Sequence, residues 1–287
     1  MIDLVIDGVI VKLRELHDFR FLKKFGKVFC VFDKQDSGNI CFGLDNGTEK
    51  VFIKYAGAKT VEYNGETPVA IERLKKAMPL YKVLKHNSLI KFIESFETND
   101  GYAVIFKWAD GQCMHAHWDF EKYSKYTHPK SPNFKYRNLP LEERLNSLET
   151  IFTFHEFVAS KGYVAIDFYG GSIMYDFATQ TTTICDIDFY EKQPFINNMG
   201  RMWGSSRFMS PEEYEMGAAI DEITNVFNMG AITFELLGDN KERSFKNWQG
   251  SKLLYNIAKK AVSPQRCDRY QSLVEFRAEW NKGRIHQ

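Results

Sequence analysis

Gly204-Ser205-Ser206-Arg207-Phe208-Met209-Ser210-Pro211-Glu212 is the stretch on which the reading of this chain turns, and Ser263-Pro264-Gln265-Arg266-Cys267-Asp268-Arg269-Tyr270, well downstream, is its companion. Taken alone, Pro211-Glu212 is an ordinary loop pair and Arg269 a surface charge. Their meaning depends on the chain around them. It has 287 residues, 44% apolar and 26% charged, enough to bury a substantial core and too apolar for disorder. Net charge is +1 with no long single-sign block, so the electrostatic footprint of a nucleic-acid binder is missing and nucleic acid is not expected as a partner. Met1-Ile2-Asp3-Leu4 does not open a basic segment followed by an apolar run, and no stretch is long and apolar enough to span a bilayer. A soluble, cytoplasmic protein without a membrane partner is expected. Cys30, Cys41, Cys113, Cys185 and Cys267 are scattered without a Cys-x-x-Cys spacing, which predicts reduced thiols rather than disulfides or a structural zinc site. Cys113, His115 and His117 lack the second ligand cluster that a metal site needs.

Outward from that stretch, the N-terminal part reads as strands. Apolar runs at 2–6 and 9–13 flank Asp7-Gly8, a strong hairpin signal. Three short strands follow at 27–32, 40–44 and 50–55, broken by Asp36-Ser37-Gly38-Asn39 and Asp45-Asn46-Gly47. An amphipathic helix is predicted over 68–84, with Pro79 expected to kink it or start a new turn. Strands return at 89–96 and 102–108, and residues 118–138, aromatic, charged and containing Pro, predict a surface insertion. From Pro140 the periodicity is helical, with Leu141, Leu145, Leu148, Ile151, Phe152 and Phe157 on one face before Gly162 ends it. A hairpin over 173–187, a long loop to Pro211, a helix apolar nearly all round at 226–237 and helices at 253–261 and 272–280 complete the pattern. Strands first and helices after predict an α+β chain.

The motifs in order resemble the eukaryotic-type serine/threonine protein kinase fold over roughly residues 20 to 282. Ser210-Pro211-Glu212 is similar to the family's Ala-Pro-Glu, and Asp-x-x-x-Arg has its counterpart in the stretch ending at Arg269. Val51-Phe52-Ile53-Lys54 resembles Val-Ala-Ile-Lys, Val164-Ala165-Ile166-Asp167 stands for His-Arg-Asp, and Ile187-Asp188-Phe189-Tyr190 for Asp-Phe-Gly. Thr224-Asn225-Val226-Phe227-Asn228-Met229-Gly230 looks like the start of the central C-lobe helix, and Phe106-Lys107-Trp108-Ala109-Asp110-Gly111 like the hinge between lobes.

The resemblance implies a bilobal fold. Its N-lobe and hinge over 20–111 would hold a small antiparallel sheet and one main helix, preceded by a hairpin extension at 1–19. A mostly helical C-lobe over 112–287 would carry the insertion at 118–138. It implies a Glu212–Arg269 ion pair beneath the activation segment. For chemistry it implies ATP with Mg²⁺, or Mn²⁺, and phosphoryl transfer to Ser/Thr of a protein substrate, where positioning and charge neutralisation are most of the protein's task. Lys54 would meet the phosphates, oriented by Glu72. Gly38 would lie in the phosphate loop, and Phe106, Lys107 and Trp108 at the adenine. Asp167 would take or orient the acceptor proton, while Asp188 and Ser172 would hold metal, with Asp186 as the alternative ligand. The chain departs from the family at several of these places. One glycine stands in the phosphate loop, Ala165 and Ile166 replace His and Arg, and Tyr169 replaces a catalytic-loop lysine. Ser172 replaces the metal-binding Asn, Tyr190 replaces Gly, and Asn225 replaces the Asp that braces the catalytic loop. A pseudokinase scaffold is therefore one alternative. A small-molecule kinase of the aminoglycoside phosphotransferase type, suggested by Asp186-Ile187-Asp188, is another.

Overall fold

Asp7 and Gly8 both take positive φ, 51° and 88°. A two-residue hairpin loop requires this at both central positions, and Asp-Gly tolerates it. The loop joins β1 (Ile2–Ile6) to β2 (Val9–Leu13) in antiparallel register from Ile6↔Val9 to Ile2↔Leu13. The computed structural model describes residues 1–115, 122–238 and 242–285. They form an α+β protein whose strands pair antiparallel and which divides into two compact units, Met1–Asp110 and Gly111–Gln287.

In the first unit, β3 (Lys27–Phe32), β4 (Asn39–Asp45), β5 (Lys50–Ala56), β6 (Phe92–Thr98) and β7 (Gly101–Lys107) make one sheet in the order β3-β4-β5-β7-β6. Between β5 and β6 runs α1 (Thr67–Val83). One sheet face carries Ile40, Phe42, Leu44, Ile53 and Ile105, packed with Val11 and Leu13 of the hairpin. Against the opposite face α1 buries Ala70, Leu74, Ala77 and Tyr81, and the Tyr81 ring lies 4.9 Å from that of Phe106. Cover on both faces explains why β4 is buried at nearly every position instead of alternating. The hairpin is further tied down by the Asp7 carboxylate, which accepts from the Val28 N–H at 2.9 Å, and by Asp33, which accepts from the Lys12 N–H at 2.8 Å. Pro79, expected to kink the helix or start a new turn, lies inside α1. The helix runs through it, because buried Leu74, Ala77 and Met78 on one side and Leu80 and Tyr81 on the other are all held by packing.

In the second unit the order is β8 (Gln112–Cys113), α2 (Pro132–Arg137), α3 (Leu141–Ser160), β9 (Tyr163–Val164), β10 (Ile173–Asp176), β11 (Thr181–Ile184), β12 (Glu191–Lys192), β13 (Phe195–Ile196), β14 (Ala219–Ile220), α4 (Glu222–Leu237), α5 (Lys252–Ala261) and α6 (Leu273–Ile285). Helix α4 is buried from Thr224 to Leu237, as its apolar circumference requires, and α3, α5 and α6 pack around it. Asp221 caps it by accepting from the Ile223 and Thr224 N–H groups. Among the described residues no helix is long and apolar enough to cross a membrane.

The expectation of a surface insertion over 118–138 needs correction. Residues 118–121 lie outside the described residues, and the remainder mixes exposed positions with the buried Lys125, Ser131, Asn133 and Tyr136. Tyr136 is fully buried with its ring 5.1 Å from that of Tyr175. The Lys125 ammonium reaches the buried Glu235 carboxylate of α4 at 2.7 Å, which also accepts from Asn133 at 3.1 Å. Arg137 donates to the Gly238 carbonyl at the end of α4, 2.6 Å away. Aromatic and charged composition suggested solvent, but Lys125 finds a buried partner on α4 and Arg137 one just past its end, while Lys122 and Lys130 stay exposed.

Candidate functional site

The two quoted stretches meet. Arg269 Nη1 and Nη2 reach Glu212 Oε1 and Oε2 at 2.7 and 2.9 Å across 57 residues, a bidentate pair whose side chains are 0% and 6% exposed. Arg269 also donates to the carbonyls of Ser263 and Pro264, and Glu212 accepts from Thr224 Oγ1 at 2.9 Å. A second arginine, Arg266, reaches Glu212 at 2.8 Å and grips Asp221 with both of its carboxylate oxygens at 2.7 Å. Sequence reasoning missed Arg266, though it lies in the quoted stretch. Burial, the largest single influence, pushes the Glu212 carboxyl up, but the hydrogen bonds and charge of Arg269, a backbone hydrogen bond and the bond from Thr224 together bring it below the ordinary carboxylate value. The neighbouring Glu213 is shifted the other way. Burial raises it, although Ser210 and Asn228 donate to it.

The stretch containing Asp167 is positioned from both sides. Helix α3 ends at Gly162, φ 75°, and β9 follows. Strand β12 pairs back on β9 with Glu191↔Val164, so the chain just after Tyr190 lies beside the chain just before Ala165. From α4, Asn225 accepts the Ala165 N–H at 2.7 Å and donates to the Ala165 carbonyl at 2.8 Å. The amide therefore braces both backbone groups, a task an aspartate could perform only for the N–H. Asp167 and Asp186 both sit in the left-handed region, φ 60° and 57°, a conformation that costs energy and is held by its surroundings. Asp167 also approaches the start of the decisive stretch. Its Oδ1 is 3.7 Å from where a Cβ on Gly204 would stand, an ordinary contact, and the glycine there is required by its φ of 136°.

Tyr190 links these pieces. Its phenol is buried, lies 2.9 Å from His155 Nε2 and is held far above its ordinary range, first by burial and then by the charges of Asp186, Cys185 and Asp167. Asp167 and Asp186 thus act on one phenol. Asp188, the expected metal ligand, and Asp186, its alternative, lie on either side of the buried Ile187. Asp188 is half-buried on the turn closed by the Tyr190 N–H to the Ile187 carbonyl. Ser172 is 1% exposed, and its hydroxyl has no hydrogen-bond partner among the described residues. Its carbonyl accepts from the N–H of Cys185, the residue before Asp186, at 2.9 Å.

In the first unit the expectations divide. Lys54 lies at the centre of the sheet, on β5 between Cys41 and Val104. Glu72 does not serve it. That side chain is 76% exposed on the outer side of α1, with Lys75 as an ion-pair partner at 3.9 Å, because the turn-by-turn phase of the helix puts Leu74 and Ala70 inward instead. Gly38 lies in a close-packed turn. It is buried with φ 80°, and a Cβ there would come within 2.7 Å of the Tyr63 ring and 2.8 Å of Ala70. Close packing explains this glycine, and Arg73 donates to the adjacent Ser37 carbonyl at 3.4 Å. Phe106 is buried among Tyr81, Phe92 and Phe52. The Lys107 and Trp108 N–H groups donate to the Lys91 and Lys50 carbonyls, so neither is open to a ligand. The Trp108 ring packs edge-on to Phe29 over Gly43.

Among the described residues no group of three or more His, Cys, Asp or Glu gathers as a metal cage. Models of known protein families give no match to this chain, and neither do the curated proteins.

Proposed function

We propose that this protein is a kinase-like phosphotransferase that passes the γ-phosphoryl group of ATP to a hydroxyl of a protein substrate. The observation that carries the proposal is the buried Glu212–Arg269 pair, which anchors the segment whose head, Gly204, has the Asp167 carboxylate beside it. In the proposed roles Asp167 accepts or orients the proton of the acceptor hydroxyl. The segment from Gly204 to Glu212, rigid at its anchored end, presents the substrate chain to it.

Mg²⁺ in phosphoryl-transfer sites is held by one or two carboxylates together with the phosphates, so a full protein cage is not required. Asp188, or Asp186 in its place, with Ser172 suits that mode, since the Ser172 hydroxyl is a buried oxygen without a hydrogen-bond partner among the described residues. Bound Mg·ATP would supply the phosphoryl group and neutralise its charge. Asp188 is the first residue assigned to the metal and Asp186, two residues earlier, its alternative.

A second reading, a binding scaffold without turnover, is favoured by Gly38 lying packed under Tyr63 and by Glu72 facing solvent. Thermal-shift titration with ATP and Mg²⁺ or Mn²⁺, followed by labelled-ATP single turnover on generic protein acceptors, separates the two. The phosphotransferase reading expects metal-dependent ATP binding, and Asp167→Asn should keep it while lowering turnover by roughly 10²–10⁴. No binding at millimolar ATP with either metal would leave the scaffold. Undiminished turnover in folded Asp167→Asn would remove Asp167 from its role.

A further inference from the structure

Helix α3 contributes a group that none of the roles above uses. His155 is fully buried, with Nδ1 2.8 Å from the Ile151 carbonyl and Nε2 2.9 Å from the Tyr190 hydroxyl. A carbonyl can only accept, so Nδ1 carries the hydrogen. Burial holds the imidazolium pKa down to about 4, so the ring is neutral near pH 7 and Nε2 is an acceptor. The Tyr190 O–H therefore donates to Nε2, and the direction of both bonds is fixed.

We infer that Tyr190 and His155 form a buried bolt that holds the 186–192 segment against α3 and so positions Asp186 relative to Asp167. Tyr190 is a positioning residue here, since it acts through the two aspartates. Three bonds meet at this residue's end of the segment. The phenol is fixed to α3, the Tyr190 N–H closes the turn on Ile187 at 3.1 Å, and Glu191 pairs with Val164, three residues before Asp167. On the far side Asn225 fixes Ala165. Two aspartates with left-handed backbones need such support, because each would relax to a more populated conformation if its neighbours released it. A glycine at position 190 would offer no side chain to anchor and would free the turn. The tyrosine makes the segment a fixed part of the unit rather than a switch.

The inference rests on the proposed phosphotransferase only for its functional consequence, so its test has a readout in the protein alone. Amide hydrogen exchange over 186–192 would be compared in wild type, Tyr190→Phe, His155→Leu and His155→Gln, each checked for its unfolding midpoint. Tyr190→Phe and His155→Leu should speed exchange in that segment by about tenfold or more while amides of α4 keep their protection. His155→Gln, whose side-chain oxygen can accept from the phenol, should restore most of it. If Tyr190→Phe is too unstable to compare, the Leu and Gln variants of His155 give the same contrast. Unchanged local exchange in the variants, or loss spread evenly over the unit, overturns the bolt. A second readout is the Mg²⁺ concentration at half-maximal turnover, expected to rise several-fold in Tyr190→Phe and to return toward wild type in His155→Gln. An unchanged Mg²⁺ dependence in active Tyr190→Phe overturns the positioning role. Local exchange that behaves as expected in a wild type without turnover would refute the phosphotransferase while leaving the bolt standing.

Discussion

Arg269→Ala should be among the most damaging single changes in the second unit. It removes a guanidinium that is 0% exposed, breaks the two bonds to Glu212 at 2.7 and 2.9 Å, and leaves the carbonyls of Ser263 and Pro264 without that donor. Glu212 stays buried, with Arg266 and Thr224 as its remaining donors. Breaking one side of a buried pair costs about 3–5 kcal/mol, and Arg266 places the expected loss toward the lower end of that range. For a unit of this size that is roughly 6–20 °C in unfolding midpoint. The comparison is Arg20→Ala, whose side chain is 82% exposed and whose partner is the exposed Asp18, and there the midpoint should hardly move. Arg137 would be a poor control, since it caps α4 through Gly238. Calorimetry or circular dichroism at pH 7 measures both variants. A shift for Arg269→Ala no larger than that for Arg20→Ala would refute the claim that the Glu212–Arg269 pair organises this unit. The pH dependence carries a sign as well. Glu212 is net depressed below its ordinary 4.5, so its contribution is present above that pH and is lost as pH falls through the folded value. Arg269→Ala should therefore lose part of its difference from wild type in acid.

Glu213 is shifted upward by burial, so its folded state favours the proton: its stabilising effect is full below 4.5 and is lost as pH rises through the folded value. Glu213→Gln should accordingly match or exceed wild-type stability at pH 7 and flatten the stability profile between pH 4.5 and 7, which denaturant titrations across that range would test. Asn225→Asp, which restores the residue usual in kinases, should destabilise by about 1–3 kcal/mol, because a carboxylate would face the Ala165 carbonyl and Asn228 Oδ1 at 2.8 and 2.9 Å. Equal unfolding midpoints at pH 7 would show that the amide's two-sided bond is not needed. Asp167→Asn and the Tyr190 and His155 variants test the chemistry and the bolt through turnover and local exchange.

The residues by themselves determined the elements and their order. Asp7-Gly8 set the first hairpin to the residue, the 3.6-residue periodicity of Leu141 to Phe157 set α3, and the all-round apolar surface of 226–237 announced a buried α4. Such features depend on neighbours in the chain, so local sequence carries them. The meeting of Glu212 with Arg269 was also legible, but only through the motifs each sits in. Tertiary structure alone decided which side chain each backbone group would face. That Glu72 faces outward while Leu74 and Ala70 face inward is a choice of helical phase that differs by two residues in sequence. The same limit hid the buried partners of Lys125 and the His155–Tyr190 bond, since no spacing rule ties a helix histidine to a tyrosine across two loops. Composition counts charges and rings, whereas burial pairs them, and pairing is a property of the folded chain.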